Sequence, residues 1–303
     1  MLPLRLAKPS PLPINPLFPL KQHKISRSIA PRKIFGIKLH SHSKTPKLPK
    51  SNPDDDVIEG RELEIRGLLP DLMPKHIAVI ADGNRRWASE RGLRGKQGHR
   101  AGRRAMKEVV LLCNLCSELG LKALTFFLFS TENWFRPKDQ VDFLMAEFED
   151  MMVSDVEEKG IRTSVLGDTS RLPKSLQKAI TVAEETSKGN TGLHLMISLN
   201  YSGKHDILQA TKKIASKVKD GMIFLEDINE SLFLEELNTK CTEFPNPDLL
   251  IRTGGERRVS NFMLWQLAYT ELFFVEKYFP DFKEADILEI LRSFQQRHRN
   301  YGK

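Results

Sequence analysis

The chain has 303 residues, of which 40% are hydrophobic and 28% charged, and a formal net charge of +8. That charge is unevenly placed: residues 1–53 hold eleven Lys plus Arg and no Asp or Glu, so the remaining residues sum to about −3, and the basicity argues for no nucleic-acid partner of the main body. No run approaches the ~18 apolar residues of a membrane span, and the three cysteines do not suggest a disulfide framework.

Residues 1–53, rich in Ser, Pro, Lys and Arg and free of acids, have the composition of a plastid transit peptide, disordered before import. A basic tail binding nucleic acid or membrane is the other reading of such a segment. Residues 54–68 form an acidic linker opening with Asp54-Asp55-Asp56, and cleavage is expected before it. Residues 69–303 suffice for one sizeable α/β domain. Strands are predicted at His76–Ala81, Ala123–Phe129, Arg162–Gly167, His194–Asn200, Leu249–Arg252 and Glu271–Val275, with helices at Ala101–Leu119, Lys138–Glu158, Pro173–Lys188, Ser202–Lys219 and Glu284–Arg297. This alternation predicts a mostly parallel central sheet of about six strands flanked by helices. Cys113 and Cys116 form a C-x-x-C inside an apolar helix with no flanking Pro or Gly, which reads as core and not as a redox turn.

In parallel sheets ligands sit at the carboxyl ends of strands. The first strand stops at Asp82-Gly83-Asn84, followed at once by Arg85, Arg86 and Trp87. Gly permits a tight turn with exposed backbone N–H groups, and a carboxylate beside arginines suits phosphate and a metal ion; a solvated surface turn is the bland alternative. The second strand ends in Ser130-Thr131-Glu132-Asn133-Trp134-Phe135-Arg136, and the fifth in Arg252-Thr253-Gly254-Gly255-Glu256-Arg257-Arg258-Val259-Ser260. Gly98-His99-Arg100-Ala101-Gly102 opens the first long helix, whose N-terminus favours anions. Two basic, glycine-bearing loops and a helix N-terminus suggest two phosphate sites, with arginine forks suited to diphosphate oxygens. The chain has no G-x-x-x-x-G-K-[ST] loop and no G-x-G-x-x-G after its first strand, and Asp54-Asp55-Asp56 does not make the D-D-x-x-D of trans-prenyl synthases.

The ordered blocks H-I-A-V-I-x-D-G-N-x-R-W-A, G-H-R-A-G, F-S-T-E-N-W-x-R-P and P-D-L-L-I-R-T-G-G-E-x-R-x-S-N-F-x-L-W-Q-L-A-Y-T-E-L resemble the cis-prenyltransferase family, the undecaprenyl and dehydrodolichyl diphosphate synthase type. The likeness runs from about Met73 to the C-terminus, and the leader resembles plant plastid members that make neryl, Z,Z-farnesyl or lavandulyl diphosphates. The resemblance implies that an allylic diphosphate lies on Asp82, Gly83, Asn84, Arg85 and Arg86, with His99 and Arg136 nearby and Trp87 and Trp134 either walling the site or packing in the core. It implies isopentenyl diphosphate on Arg252, Arg258 and Ser260, and reacting groups positioned by Ser130 and Asn133. It further implies Mg²⁺ held by Asp82 and Glu271, Glu256 structural or paired with an arginine, and a homodimer to which Phe262–Ala268 contributes unless that run is buried within one subunit.

Three departures from the family pattern stand out. Ala81 replaces the usual Met, Gly95 replaces a phosphate-binding Arg, for which Arg94 or Lys96 would have to substitute, and Leu128 replaces a common Ala. Leu128, together with Leu144, Met145, Phe148, Met151 and Met152 on the Lys138–Glu158 helix, predicts a bulky apolar tunnel and a ten- to fifteen-carbon product from dimethylallyl and isopentenyl diphosphates. Ordinary core packing also accounts for that helix stripe. Irregular coupling of two dimethylallyl diphosphates is the second reading, and a non-catalytic scaffold subunit the third. A soluble enzyme of the plastid stroma is expected.

Overall fold

The structure, a computed structural model, describes residues 67–154 and 160–299. The leader and nearly all of the acidic linker lie outside the described residues. Six parallel strands form one sheet: β1 (His76–Ile80), β2 (Ala123–Ser130), β3 (Arg162–Leu166), β4 (His194–Tyr201), β5 (Leu249–Arg252) and β6 (Glu271–Phe274), in spatial order β3-β4-β2-β1-β5-β6. Seven α-helices accompany it among the described residues: α1 (Asn84–Glu90), α2 (Gly95–Leu115), α3 (Lys138–Ser154), α4 (Lys174–Ser187), α5 (Gly203–Lys219), α6 (Glu230–Glu236) and α7 (Glu284–Gln295). β1 is buried along its whole length, Ile77 and Val79 joining one apolar cluster and Ala78 and Ile80 another. A central strand covered on both faces is therefore apolar without alternation, which is how the sequence signalled it.

The strand order reverses beside β1. The chain moves from β1 to β2 on one side, and later adds β5 and β6 on the other. Such a reversal splays the loops after neighbouring strands apart and opens a crevice at their carboxyl ends. Here that crevice separates the loop after β1 from the loop after β5.

Local structure departs from the sequence expectation at several places. Gly83 takes φ 98° and caps α1, so Arg85 and Arg86 lie on a short helix and not in an open turn. α2 begins at Gly95, earlier than expected, because the Gln97 side chain accepts the Arg94 N–H at 3.0 Å. Gly98–Gly102 consequently sit within the helix and do not open it. Cys116–Leu119 tightens into a 3₁₀ turn ended by Gly120 at φ 110°. α6 was not anticipated; its cap is Asn229, whose Oδ1 accepts the Leu232 N–H at 3.0 Å.

Cys113 and Cys116 are buried, and burial pushes both thiols up, Cys116 to about 12, as a core role requires. Phe262 and Met263 are buried within the subunit. Phe262 stacks on Phe127 at 4.5 Å, whereas Trp265 and Tyr269 stay exposed. β2 carries an irregularity in register between Phe127 and Phe129. Strict alternation would send Phe129 to the face of Phe127. Instead it packs edge-on against Trp134 (5.2 Å) and Phe148 (6.2 Å), in the same cluster as Phe126.

Candidate active site

The β1–β5 crevice is tied together around Asp82. Thr253 Oγ1 accepts the Asp82 N–H at 3.0 Å and donates to the Asp82 carbonyl at 2.9 Å. Arg252 is 4% exposed; its Nη2 donates to Asp82 Oδ2 at 2.9 Å, while its Nη1 donates to Ser260 Oγ at 2.6 Å and to the Arg258 carbonyl at 2.5 Å. One buried guanidinium thus fixes the β1 turn and the Arg258–Ser260 loop relative to each other. Ser260 is held at φ 47°, a conformation that its hydrogen bond to Arg252 helps to maintain.

A second bridge runs through Glu256. Its carboxylate lies 3.5 Å from Arg86 Nη1 and 2.6 Å from Arg258 Nη1, and Arg86 Nη2 lies 3.5 Å from Asp82 Oδ1. Negative charge is therefore held between cations contributed by the two loops. Gly254, at φ 85°, lets the loops come this close: a Cβ there would lie 2.9 Å from Arg86 Nη2 and 3.1 Å from the Asp82 carbonyl carbon.

Below the turn lies a cavity of ≈ 670 Å³. Asp82, Gly83, Asn84, Arg85, Arg86, His99, Arg103, Arg136 and Glu147 are among its polar lining, and Met106, Leu128, Leu144, Phe148, Met151 and Phe279 among its apolar lining. Gly98 and Gly102 bring α2 against the Asp82–Asn84 turn, since Cβ atoms there would stand 2.0 Å from the Asn84 carbonyl oxygen and 2.3 Å from Asn84 Oδ1. Asn84 Oδ1 is buried with no partner among the described residues, and Asn84 Nδ2 donates to the Ala81 carbonyl at 3.3 Å. Gly95 also lines the cavity. The Arg85 side chain occupies the space beside it, its Cγ 3.6 Å from where a Cβ would stand. The stem of Arg85, a cavity-lining cation, therefore runs beside Gly95, while neither Arg94 nor Lys96 lines the cavity.

Burial lowers the His99 pKa to about 4, helped by the charges of Arg136 and Arg85. Burial, with Arg85, also pulls Arg136 below the usual arginine range, and Asp82 partly offsets this. His99 is neutral at neutral pH and its field is dominated by cations, an environment that an anion relieves. His76 and His194 are likewise lowered to about 4 by burial. The unfolded chain takes up protons at these three histidines near the ordinary histidine value of 6.5, while the folded chain resists until about pH 4. Stability is therefore fully present above that unfolded value and is lost as pH falls through the window between them. Urea melts at pH 7, 6 and 5 should show falling stability with net proton uptake on unfolding; flat stability over that range would contradict the neutral assignments.

Not every expected residue converges on the cavity. Ser130 and Asn133 stand at the end of β2, where the Ser130 N–H donates to Asn133 Oδ1 at 3.2 Å, but neither lines it, whereas Arg136 does. Trp87 turns away: its indole N–H donates to Asp281 Oδ1 at 2.7 Å and Arg91 covers its ring, so it is a structural residue and not a wall of the cavity. Trp134 packs on Phe129 and donates to Asn200 Oδ1 at 2.8 Å. Glu271, expected beside Asp82 at the metal, does not stand next to it within this chain. Glu271 begins β6, opposite Leu249, at the end of the sheet away from Asp82, and its carboxylate pairs with Arg297. Thr253 and Gly254, both in the R-T-G-G-E block, join the site through their backbone and hydroxyl contacts with the Asp82 turn, which a motif alone does not indicate. The cavity residues Arg103 and Glu147 had no signal beyond helical spacing.

The donor set suits one Mg²⁺ shared with substrate. Among the described residues no group of three or more His, Cys, Asp and Glu is gathered for a metal. Mg²⁺ is ordinarily held by one or two carboxylates together with substrate phosphates, and Asp82, flanked by Arg86 and Arg252, offers one such carboxylate.

Residues 80–302 match the family model described as putative undecaprenyl diphosphate synthase. The chain is 54% identical over 232 residues to a chloroplastic (2Z,6Z)-farnesyl diphosphate synthase of Solanum lycopersicum, covering 77% of this chain and 80% of that one. It is 51% identical over 259 residues to dehydrodolichyl diphosphate synthase 2 of Arabidopsis thaliana, covering 84% and 83%. Among solved structures, lavandulyl diphosphate synthase from Lavandula x intermedia, in complex with dimethylallyl diphosphate, aligns with a TM-score of 0.74 at 44% identity over 77% of this chain and all of that one. These names give three different products on one framework. The fold, the linked basic loops and these relatives agree: the chain belongs to the undecaprenyl diphosphate synthase family of cis-prenyltransferases and is a prenyltransferase.

Proposed function

We propose that this enzyme condenses dimethylallyl diphosphate with isopentenyl diphosphate to a cis-prenyl diphosphate of ten to fifteen carbons. The observation that carries the reading is the Arg252–Asp82 pair at 2.9 Å, which joins two basic loops beside the cavity that Asp82 lines. Asp82, Gly83, Asn84, Arg85, Arg86, His99 and Arg136 take the allylic diphosphate, its tail lying against the apolar lining. Arg252, Arg258 and Ser260 hold isopentenyl diphosphate across the crevice, with Glu256 yielding its place between the guanidiniums to phosphate oxygens. Ser130 and Asn133, rigidly turned at the end of β2, position the reacting ends. Bound Mg²⁺ supplies charge stabilisation to the departing diphosphate, with Asp82 as its ligand from this chain. Neutral His99 donates to an allylic phosphate oxygen, and the surrounding arginines hold the developing charge away from water.

Leu128 and Phe148 both line the cavity, and their bulk sets its reach. Leu128→Ala should lengthen the main product by at least one isoprene unit, read by chromatography of the dephosphorylated alcohols. An unchanged profile would remove Leu128 from this role. The 44% identity to a lavandulyl synthase gives irregular coupling of two dimethylallyl diphosphates its own support. The enzyme without its leader, supplied with Mg²⁺ and dimethylallyl diphosphate alone and then with isopentenyl diphosphate, decides between them. Product from the single substrate selects irregular coupling, and no product under either condition revives a scaffold role. The chloroplastic relative and the acid-free leader support a stromal enzyme released after cleavage of residues 1–53. Exposed Trp265 and Tyr269 support a homodimer contact.

A further inference from the structure

The apolar side chains of the cavity share it with a charged pair. Arg103 of α2 and Glu147 of α3 both line it, alongside Met106, Leu144, Phe148 and Met151, and each side chain is only 19% exposed. Glu147 Oε1 accepts from Arg100 Nε at 2.9 Å, and Glu147 Oε2 lies 3.9 Å from Arg103 Nη1. Arg103 also pairs with Asp150 and donates through Nη2 to Ser154 Oγ at 2.8 Å. These partners recur at three- and four-residue spacing on both helices, so they form a polar seam along which α2 meets α3. Lys96 and Arg100 extend it over the Phe143 ring, at 5.2 and 5.5 Å.

The cations that face Asp82 are Arg86 and Arg252, and the Arg103–Glu147 pair is a separate one, between α2 and α3. An alkyl tail that fills the cavity beside Leu128 meets a wall where two largely desolvated ions are stabilised by each other and by residual water. Pressing hydrocarbon against them removes that water and returns no hydrogen bond. We infer that the Arg103–Glu147 pair is a specificity determinant, an electrostatic stop that limits prenyl chain length in addition to the steric limit set by Leu128. The inference rests on the elongating activity proposed above. The two limits differ in kind: the steric one responds to side-chain size at constant polarity, the electrostatic one to polarity at constant size.

The test is therefore near-isosteric. The double variant Arg103→Met/Glu147→Met replaces the charged wall with an apolar one of similar volume. Its released partners stay solvated, as Arg100 is 61% and Asp150 68% exposed at the side chain. Supplied with dimethylallyl and isopentenyl diphosphates and Mg²⁺, this variant should raise the ratio of the next longer product to the main one by roughly tenfold. The KM values for both diphosphates should stay within about twofold of the parent, because the residues proposed to hold the diphosphates are untouched. A well-folded variant with the parent's product ratio overturns the inference. If the double variant does not fold, Glu147→Gln, which keeps shape and hydrogen-bonding capacity while removing charge, should move the ratio in the same direction by a smaller factor; no movement is equally fatal. A parent enzyme that forms no elongated product from the two substrates overturns the proposed activity and the inference together. Elongation by the parent with unchanged variants overturns the inference alone.

Discussion

Asp82→Asn should leave a folded protein whose kcat is lower by on the order of 10²–10³-fold, the scale seen when one preorganised charge-stabilising group is removed. The substitution keeps the side chain's shape but deletes the charge that faces Arg252 at 2.9 Å and Arg86 at 3.5 Å. It also deletes the carboxylate from this chain proposed to hold Mg²⁺. The fold survives because Thr253 grips the backbone of residue 82, not its side chain, and because Arg252 keeps Ser260 and the Arg258 carbonyl. KM for the two diphosphates should change less than kcat, since the arginines that bind them remain. Activity within tenfold of the parent, measured at saturating Mg²⁺, would show that Asp82 is not the metal's ligand and that its pairing with Arg252 is only architectural.

Gly98→Ala should be the most damaging change of a single methyl group near the site. A Cβ at this position would stand 2.0 Å from the Asn84 carbonyl oxygen and 2.8 Å from its carbon. The obstruction is backbone, so α2 must move away from α1, and the Asp82–Asn84 turn loses the helix that supports it. Overpacking of this kind costs about 1–3 kcal/mol, a fall in Tm of about 2–4 °C per kcal/mol for a domain of this size, and the displaced turn should lose most activity. Gly95→Ala is the matched control. Its Cβ would meet only Arg85 Cγ, at 3.6 Å, an ordinary contact. Helix propensity there favours Ala by up to about 1 kcal/mol. Parent-like melting by Gly98→Ala, or collapse of Gly95→Ala, would mean that the α1–α2 packing is wrongly described.

Much of the site was legible because its residues are contiguous. The Asp82–Arg86 turn and the Arg252–Ser260 loop each follow a short apolar strand, and a strand's carboxyl end is where a parallel sheet presents polar residues. Local exceptions have local causes: the Arg94–Gln97 cap sets the start of α2, and the Asn229 cap starts α6. Trp87 and Glu271 stand apart from the cavity for a different reason. Each belongs to a motif block, but motif membership says nothing about direction, and the fold points one toward Asp281 and puts the other at the opposite end of the sheet.

The sequence by itself determined the sheet class, the family and the two basic loops, because period, turn chemistry and motif order are properties of neighbours along the chain. Only the tertiary structure decided that Arg252 closes on Asp82 across 170 residues, that Arg85 fills the space beside Gly95, and that the β2 irregularity sets both Phe129 and Leu128 against the large core. It alone placed Arg103 and Glu147 among the apolar side chains of the cavity, where a charge pair acquires meaning from what it faces and how little water reaches it. Pairings between distant elements and the dielectric around them exist only once the chain is packed.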